Sequence, residues 1–155
     1  MKIRPANAAD IAAIVSVVNT AFSIESFLEG KRTNEQVISE TMQKGIFFVG
    51  EDETGHVIAS VYVENRGDHA YLGMLAIDPS RQGTGLARQM TEAAEAYCRK
   101  QACKYIEIVV LSLRPDLLPL YRKLGFIEIG TKEFHPSRQL KPGFECHGII
   151  MTKAL

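Results

Sequence analysis

The residues best suited to chemistry lie in a glycine-containing segment at positions 75–88, LAIDPSRQGTGLAR. Gly83 and Gly85 have no Cβ, so a bulky anion could approach the backbone closely there. The first N–H groups of a following helix lack internal partners, and the helix dipole adds partial positive charge at that end. A pyrophosphate would bind well at such a turn, and Arg81 and Arg88 could add charge.

Two common phosphate-binding motifs do not fit this segment. The dinucleotide motif GxGxxG would place its third glycine or alanine at position 88, where this chain has Arg88, and it expects an acid at the end of the next strand. A P-loop would need Gly-Lys followed by Ser or Thr, a run that the sequence lacks. Taken alone, the segment supports a phosphate site and a plain glycine turn before a core helix equally.

Covalent catalysis by a cysteine has little support in the sequence. Cys98, Cys103 and Cys146 form no CxxC pair, and the histidine next to Cys146 would point to the opposite face of a strand. The four histidines lack the spacing of a metal site, so we expect no metal. An odd number of cysteines without CxxC is typical of a reducing, cytoplasmic setting.

The composition favours one domain over residues 1–155 and excludes several partner classes. Eighteen Lys and Arg balance eighteen Asp and Glu, so the chain lacks the positive charge expected of a nucleic-acid binder. No apolar run approaches the roughly 20 residues that span a bilayer, and the polar N-terminus has no signal sequence. We expect a cytoplasmic monomer or homodimer whose partners are neither nucleic acid nor membrane.

Hydrophobic periodicity indicates the elements that must position the chemical residues. Helical spacing begins at Asn7 or Asp10 and runs to Phe22, and it recurs at 34–43, 86–100 and 117–124. Strands are predicted at 3–5, 46–49, 57–63, 71–77, 105–111, 126–129 and 146–151. The order predicts an α/β domain with a mixed sheet and a right-handed parallel crossover around 86–100. The apolar run 105–111 is typical of a strand buried on both faces.

Two motifs in this order resemble the GNAT superfamily of acetyl-CoA-dependent N-acetyltransferases. Gln82, Gly85 and Ala87 match its acetyl-CoA motif, [Gln/Arg]-x-x-Gly-x-[Gly/Ala], and residues 121–126, YRKLGF, resemble its Tyr-x-x-Leu-Gly-Phe box. The opening residues IRPA and Asp10 resemble its first strand and helix. The resemblance covers nearly the whole chain. It implies a single domain with a mixed, splayed sheet of about six to seven strands and helices on both faces.

The resemblance also implies residue roles. Backbone groups of Leu75, Ala76 and Ile77 would bind the pantetheine arm of acetyl-CoA, in the manner of an added strand. The residues expected to hold the pyrophosphate follow in one run: Gln82, Gly83, Thr84, Gly85, Leu86, Ala87 and Arg88. Tyr121 would be the general acid that protonates the departing thiolate, although it could instead be a core residue on a shared helical face with Leu117 and Leu124.

One position departs from the pattern. The family often has an asparagine seven residues before this tyrosine, and this chain has Arg114 there. Pro115 and Pro119 further alter the start of the helix. These changes put in question the usual polar contact to CoA and the exact reach of Tyr121.

The implied reaction is direct attack of a neutral primary amine on the thioester in a ternary complex, which requires a base. Tyr71 lies where some relatives place one, and His69, Glu64 and Glu107 are weaker candidates. The acceptor, a small-molecule or peptide amine, should lie against the irregular segments 23–33 and 135–143. These segments carry mixed charges that select no acceptor type: Glu25, Glu29, Arg32, Arg138 and Lys141. A non-catalytic acyl-CoA-binding or sensing module of the same fold is the alternative, and a nucleotide-binding regulator is a further one.

Overall fold

A computed structural model, which describes residues 1–135 and 138–155, forms a seven-stranded mixed sheet in the order β1-β2-β3-β4-β5-β7-β6. The strands are β1 (Lys2–Pro5), β2 (Ile46–Glu51), β3 (Val57–Asn65), β4 (His69–Ile77), β5 (Tyr105–Leu111), β6 (Ile127–Glu133) and β7 (His147–Ala154). The helices are α1 (Ile11–Ala21), α2 (Glu35–Thr41), α3 (Leu86–Lys100) and α4 (Leu117–Lys123). The predicted fold class and order of elements are confirmed. β6 differs most, because it continues well beyond the predicted end at residue 129.

Alternating side chains divide the core between the two faces of the sheet. Phe47 of β2 points towards α1 and α2 and lies in one cluster with Ile14 and Ile38. Phe48 points to the other face and lies in a cluster with Met90 of α3. Helices therefore cover both faces, as predicted. None of the helices in the described part of the chain combines the length and apolar character needed to cross a bilayer.

The sheet parts between its two central parallel strands. β4 and β5 pair only at their beginnings, where residues 69–71 lie opposite residues 105–107. β4 then follows β3 through an irregularity opposite Ser60–Tyr62, and Met74 there has a φ of 47°. Such a bulge bends its strand and increases the local twist. β5 stays paired with β7 along its whole length, so a gap opens at the carboxyl ends of β4 and β5.

One prediction about β5 is wrong. Its apolar sequence indicated burial on both faces, yet burial alternates along the strand. Ile106, Ile108 and Val110 are buried against the α3 side, whereas Glu107 and Val109 are half-buried. The reason is the gap: α1 packs across β3 and β4, and the second face of β5 opens beside it onto a cavity.

The two irregular segments lie against each other, a contact that joins residues far apart in the sequence. Leu28 and Leu140 form an antiparallel bridge. The Glu29 N–H donates to the Gln139 carbonyl at 2.8 Å, and the Lys141 N–H donates to the Phe27 carbonyl at 2.9 Å. Positions 136 and 137 of the second segment lie outside the described residues.

Burial predicts how differently two isoleucines respond to the same substitution. Ile106 is 0% exposed in the centre of the sheet, whereas Ile127 is 64% exposed on the edge strand β6. Ile106→Ala should lower the free energy of unfolding by roughly 2–5 kcal/mol, because it leaves a cavity. Ile127→Ala is the matched control and should change it by less than about 0.5 kcal/mol. Denaturant titration measures both values, and equal losses would contradict this assignment of the core.

Candidate active site

A cavity of about 900 Å³ starts in the gap between β4 and β5 and extends to the two irregular segments. Most of the residues expected at the site from the sequence line it: Tyr71, Leu75, Ile77, Gln82, Gly83, Gly85, Leu86, Ala87, Arg88 and Tyr121. Two do not. Ala76 is buried towards α1, which leaves only its backbone for a ligand. Thr84 donates its hydroxyl to the Arg81 carbonyl at 2.5 Å.

One end of the cavity is formed by the glycine turn and the start of α3. Gly83 and Gly85 have φ values of 80° and 81°, in the left-handed region, and a Cβ at either position would meet no atom within 4 Å. Gly85 caps α3 without any side-chain hydrogen bond to the first turn. The first N–H groups of this 15-residue helix therefore have no side-chain cap at Gly85, and they lack partners within the helix. The arrangement suits a phosphate group.

Two arginines, Arg81 and Arg88, lie at this end of the cavity. Arg81 pairs with Asp52 at 3.4 Å, which holds the loop before α3 against the β2–β3 turn. Arg88 donates to the carbonyl of Lys123 at 3.0 Å and so joins the start of α3 to the end of α4. Both arginines line the cavity, and both also serve the structure that surrounds it.

Tyr121 lies on α4 and is half-buried, with its ring 5.7 Å from that of Phe126 in an edge-to-face contact. Burial raises the pKa of Tyr121 to about 12, nearby Tyr71 adds to the rise, and Arg114 opposes it. The phenol therefore keeps its proton at neutral pH and can donate it. Pro119 does not break α4, because it occupies the third helical residue, whose N–H would have no partner within the helix.

Arg114 has a role that the sequence did not reveal. Its guanidinium donates to Glu25 at 2.9 Å and to both oxygens of Asp116 at 3.1 and 3.2 Å. Glu25 is 4% exposed and also accepts a hydrogen bond from Arg138. One buried carboxylate thus joins both irregular segments to the start of α4. The sequence signal was an arginine in place of an asparagine, without any indication of its partner.

The four base candidates separate into two groups. Tyr71 and Glu107 line the cavity and lie opposite each other in the β4–β5 ladder. His69 instead pairs with Asp68 at 2.8 Å and stacks on Tyr105, and Glu64 accepts from the Tyr62 hydroxyl. Neither is among the residues that line the cavity.

Gly73 makes room for the Tyr71 ring. A Cβ at position 73 would lie 2.9 Å from the Tyr71 hydroxyl. The Arg66 guanidinium lies 4.4 Å from the centre of that ring. The Tyr71 side chain therefore lies between the backbone of β4 at Gly73 and the guanidinium of Arg66.

No cysteine is among the described lining residues. Cys98 and Cys103 are buried, and burial raises the pKa of the Cys98 thiol to about 12. Cys146 is half-buried, and its sulfur accepts from the Ser112 hydroxyl at 3.6 Å. Within residues 1–135 and 138–155, no three His, Cys, Asp or Glu side chains are grouped to hold a metal ion.

Residues 14–126 match the model of the acetyltransferase (GNAT) family. Among solved structures, the chain is similar to the ribosomal-protein-S18-alanine N-acetyltransferase from Escherichia coli, with a TM-score of 0.78 and 20% identity over 99% of this chain and 92% of that one. It is similar to a ribosomal-protein-alanine N-acetyltransferase from Brucella melitensis, with a TM-score of 0.81 and 18% identity over all of both chains. It is also similar to a phosphinothricin acetyltransferase from Sinorhizobium meliloti in complex with acetyl-CoA, with a TM-score of 0.77 and 20% identity over 99% and 88%. Because only 18–20% of the residues are identical, the similarity to these three structures establishes the fold alone.

The burial of the thiols predicts their reactivity. Reaction requires an accessible thiolate, so an aromatic disulfide reagent at pH 8 should modify Cys146 in the native protein and leave Cys98 and Cys103 unmodified. Denaturant should release the remaining two thiols. Absorbance of the released thiolate and peptide mass mapping give the count and the positions. Rapid reaction of Cys98 in the folded protein would contradict the buried environment described for it.

Proposed function

The chain belongs to the acetyltransferase (GNAT) family, and from that premise we propose that it transfers an acetyl group from acetyl-CoA to a primary amine. The transfer is a direct attack in a ternary complex. The observation that supports this best is that one continuous cavity is lined by the glycine turn before α3, by the half-buried Tyr121 and by the two irregular segments. A donor and an acceptor can therefore meet inside it.

The residues of the gap fit acetyl-CoA as a co-substrate. Because β4 pairs with β5 only as far as residue 71, the backbone groups of Leu75 and Ile77 on that side have no strand partner in the described part of the chain. Buried backbone groups require partners, and an extended pantetheine arm can supply them as a strand would. The pyrophosphate would bind the run from Gln82 to Arg88, with Gly83 and Gly85 leaving it room. No metal is required by this scheme.

Tyr121 is the proposed general acid. The amine nitrogen forms a bond to the thioester carbon, the carbon–sulfur bond breaks, and the departing thiolate takes the phenolic proton. In water this transfer is unfavourable, because a thiol has a pKa of about 8.5 and a tyrosine about 10. Burial disfavours a thiolate as well as a phenolate, so a thiolate formed beside Tyr121 would also be more basic than in water.

The amine must lose a proton before or during attack, since an alkyl amine of pKa about 10.4 is mostly protonated at neutral pH. Tyr71 is the proposed acceptor of that proton, directly or through water, and Glu107 is the second candidate. The Tyr71 hydroxyl would relay the proton: it accepts one from the amine as it passes its own to solvent. The proton that leaves the amine at Tyr71 passes to solvent, and solvent returns a proton to the Tyr121 phenolate. The two transfers therefore balance.

The acceptor is proposed to be a small-molecule or peptide amine. One structural relative is named for the alanine of ribosomal protein S18 and another for phosphinothricin, so related folds accept both kinds. The three free cysteines support a reducing, cytoplasmic location.

Acetyl-CoA and CoA should raise the melting temperature, whereas NAD and ATP should not. Ligand at about 100 times its Kd stabilises the native state by about 2.7 kcal/mol. Gly85→Glu should abolish this shift, because a side chain and a negative charge would occupy the proposed phosphate position. Gly67→Glu is the matched control: Gly67 also has a positive φ and open surroundings, but it lies in the β3–β4 turn. A folded Gly85→Glu protein with an unchanged shift would refute this phosphate site.

Tyr121→Phe should lower kcat by roughly 10²–10⁴, the range for one positioned acid, with acetyl-CoA binding nearly unchanged. The ring and its contact with Phe126 remain, so the fold should persist. Tyr97→Phe is the control, because Tyr97 lies on α3 outside the cavity, where its ring packs against Phe48 of β2. Rates are measured on an amine that the wild-type protein acetylates. Wild-type turnover by Tyr121→Phe would make Tyr121 a core residue, and acetyl-CoA binding without turnover of any amine would favour the sensing module.

A further inference from the structure

Arg32 differs from the other arginines at the acceptor end of the cavity. Arg66, Arg114 and Arg138 line this end, and each pairs with a carboxylate. Arg32 lines it too, but its guanidinium lies over the ring of Phe22 at 5.6 Å and forms no ion pair within the described residues.

The surrounding charges leave a positive excess. Arg114 and Arg138 take up two carboxylates, Glu25 and Asp116, which leaves the guanidinium of Arg32 without one among the described residues. Glu25 is already bound by Arg114 and Arg138. Desolvation by burial lowers the pKa of Arg32, because the charged guanidinium is less well solvated there than in water. A partly buried cation of this kind gains most from an anion that enters the cavity with a matching geometry.

An unpaired negative charge lies nearby. Glu107 lines the same cavity and forms no ion pair among residues 1–135 and 138–155. It is the ladder partner of Tyr71, and Tyr71 lines the same cavity as Arg32. Two opposite charges that form no ion pair among the described residues therefore line the same cavity as the tyrosine that is proposed to accept the proton of the amine. A zwitterion would complement both of them.

We propose that the acceptor is an amine that carries its own carboxylate, as a free amino acid does, and that Arg32 binds this carboxylate. The inference rests on the proposed function and names its substrate class. The planar guanidinium can hold a carboxylate through two parallel hydrogen bonds. The ammonium group then lies on the side of Glu107 and Tyr71, where it loses a proton before attack. A peptide N-terminus offers a neutral amide in place of the carboxylate and leaves Arg32 unpaired.

Turnover of matched amines tests this recognition. L-alanine, L-methionine and L-glutamate are each compared with their α-carboxamides, whose amines are less basic and so intrinsically more available for attack. The wild-type protein should nevertheless have the higher kcat/KM for a free acid. Arg32→Met, which keeps an apolar side chain on Phe22, should lower kcat/KM for that acid by roughly 10- to 100-fold, the range for a lost charged hydrogen bond. It should leave the carboxamide within about twofold.

Two further variants control this measurement. Arg32→Lys keeps the charge without the planar pair of donors, so its loss on the acid should be smaller than that of Arg32→Met. Arg99→Met removes a half-exposed cation on α3 outside the cavity and should behave as wild type. Equal kcat/KM for acid and carboxamide in the wild type, or equal losses on both in Arg32→Met, would overturn the proposal.

A binding measurement separates this proposal from the proposed function. With saturating CoA, the N-acetyl acids should raise the melting temperature more than the N-acetyl carboxamides, and Arg32→Met should remove the difference. If this result holds while no amine is acetylated, the carboxylate site stands and the acetyltransferase function fails. If amines are acetylated but neither measurement shows a preference for the acid, the function stands and the carboxylate site fails. Absence of binding by every N-acetyl acid would also overturn the site.

Discussion

The parting of β4 from β5 is the constraint on which the rest of the molecule depends. Parallel strands that stay paired satisfy each other's backbone groups, whereas these two pair for only three residues on each strand. β4 remains attached to β3 through the bulge at Met74, and β5 to β7. The gap leaves unpaired backbone, exposes one face of β5 and ends at the turn before α3. The cavity and the proposed donor site both depend on this gap.

A second interaction fixes the other half of the cavity. Glu25, buried on the first irregular segment, is bound by Arg114 next to α4 and by Arg138 on the second segment. A buried ion pair often adds little net stability, because desolvation offsets the attraction, but removing one partner is costly. We infer that this cluster serves mainly to position the segments that it joins. It holds the two irregular segments against the helix that carries Tyr121 and leaves Arg32 without a carboxylate partner among the described residues.

Local signals made the elements on either side of the gap predictable from the sequence. The bounds of α3 and β5 match the predictions. Helical periodicity, a glycine turn and an apolar run each depend only on residues that are close together in the sequence. The acceptor end depends on long-range contacts: Arg114 and Glu25 are 89 positions apart, and no local pattern pairs them. The burial of β5 was mispredicted for the same reason, since an apolar run does not show that one face opens onto a cavity. Arg32 was one charge in a mixed set until the fold showed which of its neighbours had partners.

The central claim is that acetyl-CoA occupies the gap between β4 and β5 and the turn that follows it. Amide NMR spectra recorded during a titration with acetyl-CoA test this most directly. Saturable shifts are expected at Leu75, Ile77, Gly85 and Leu86, with little change at Gly130, which lies on the edge strand β6 and does not line the cavity. Saturable binding that shifts β6 and leaves the four gap and turn amides unchanged would contradict the account.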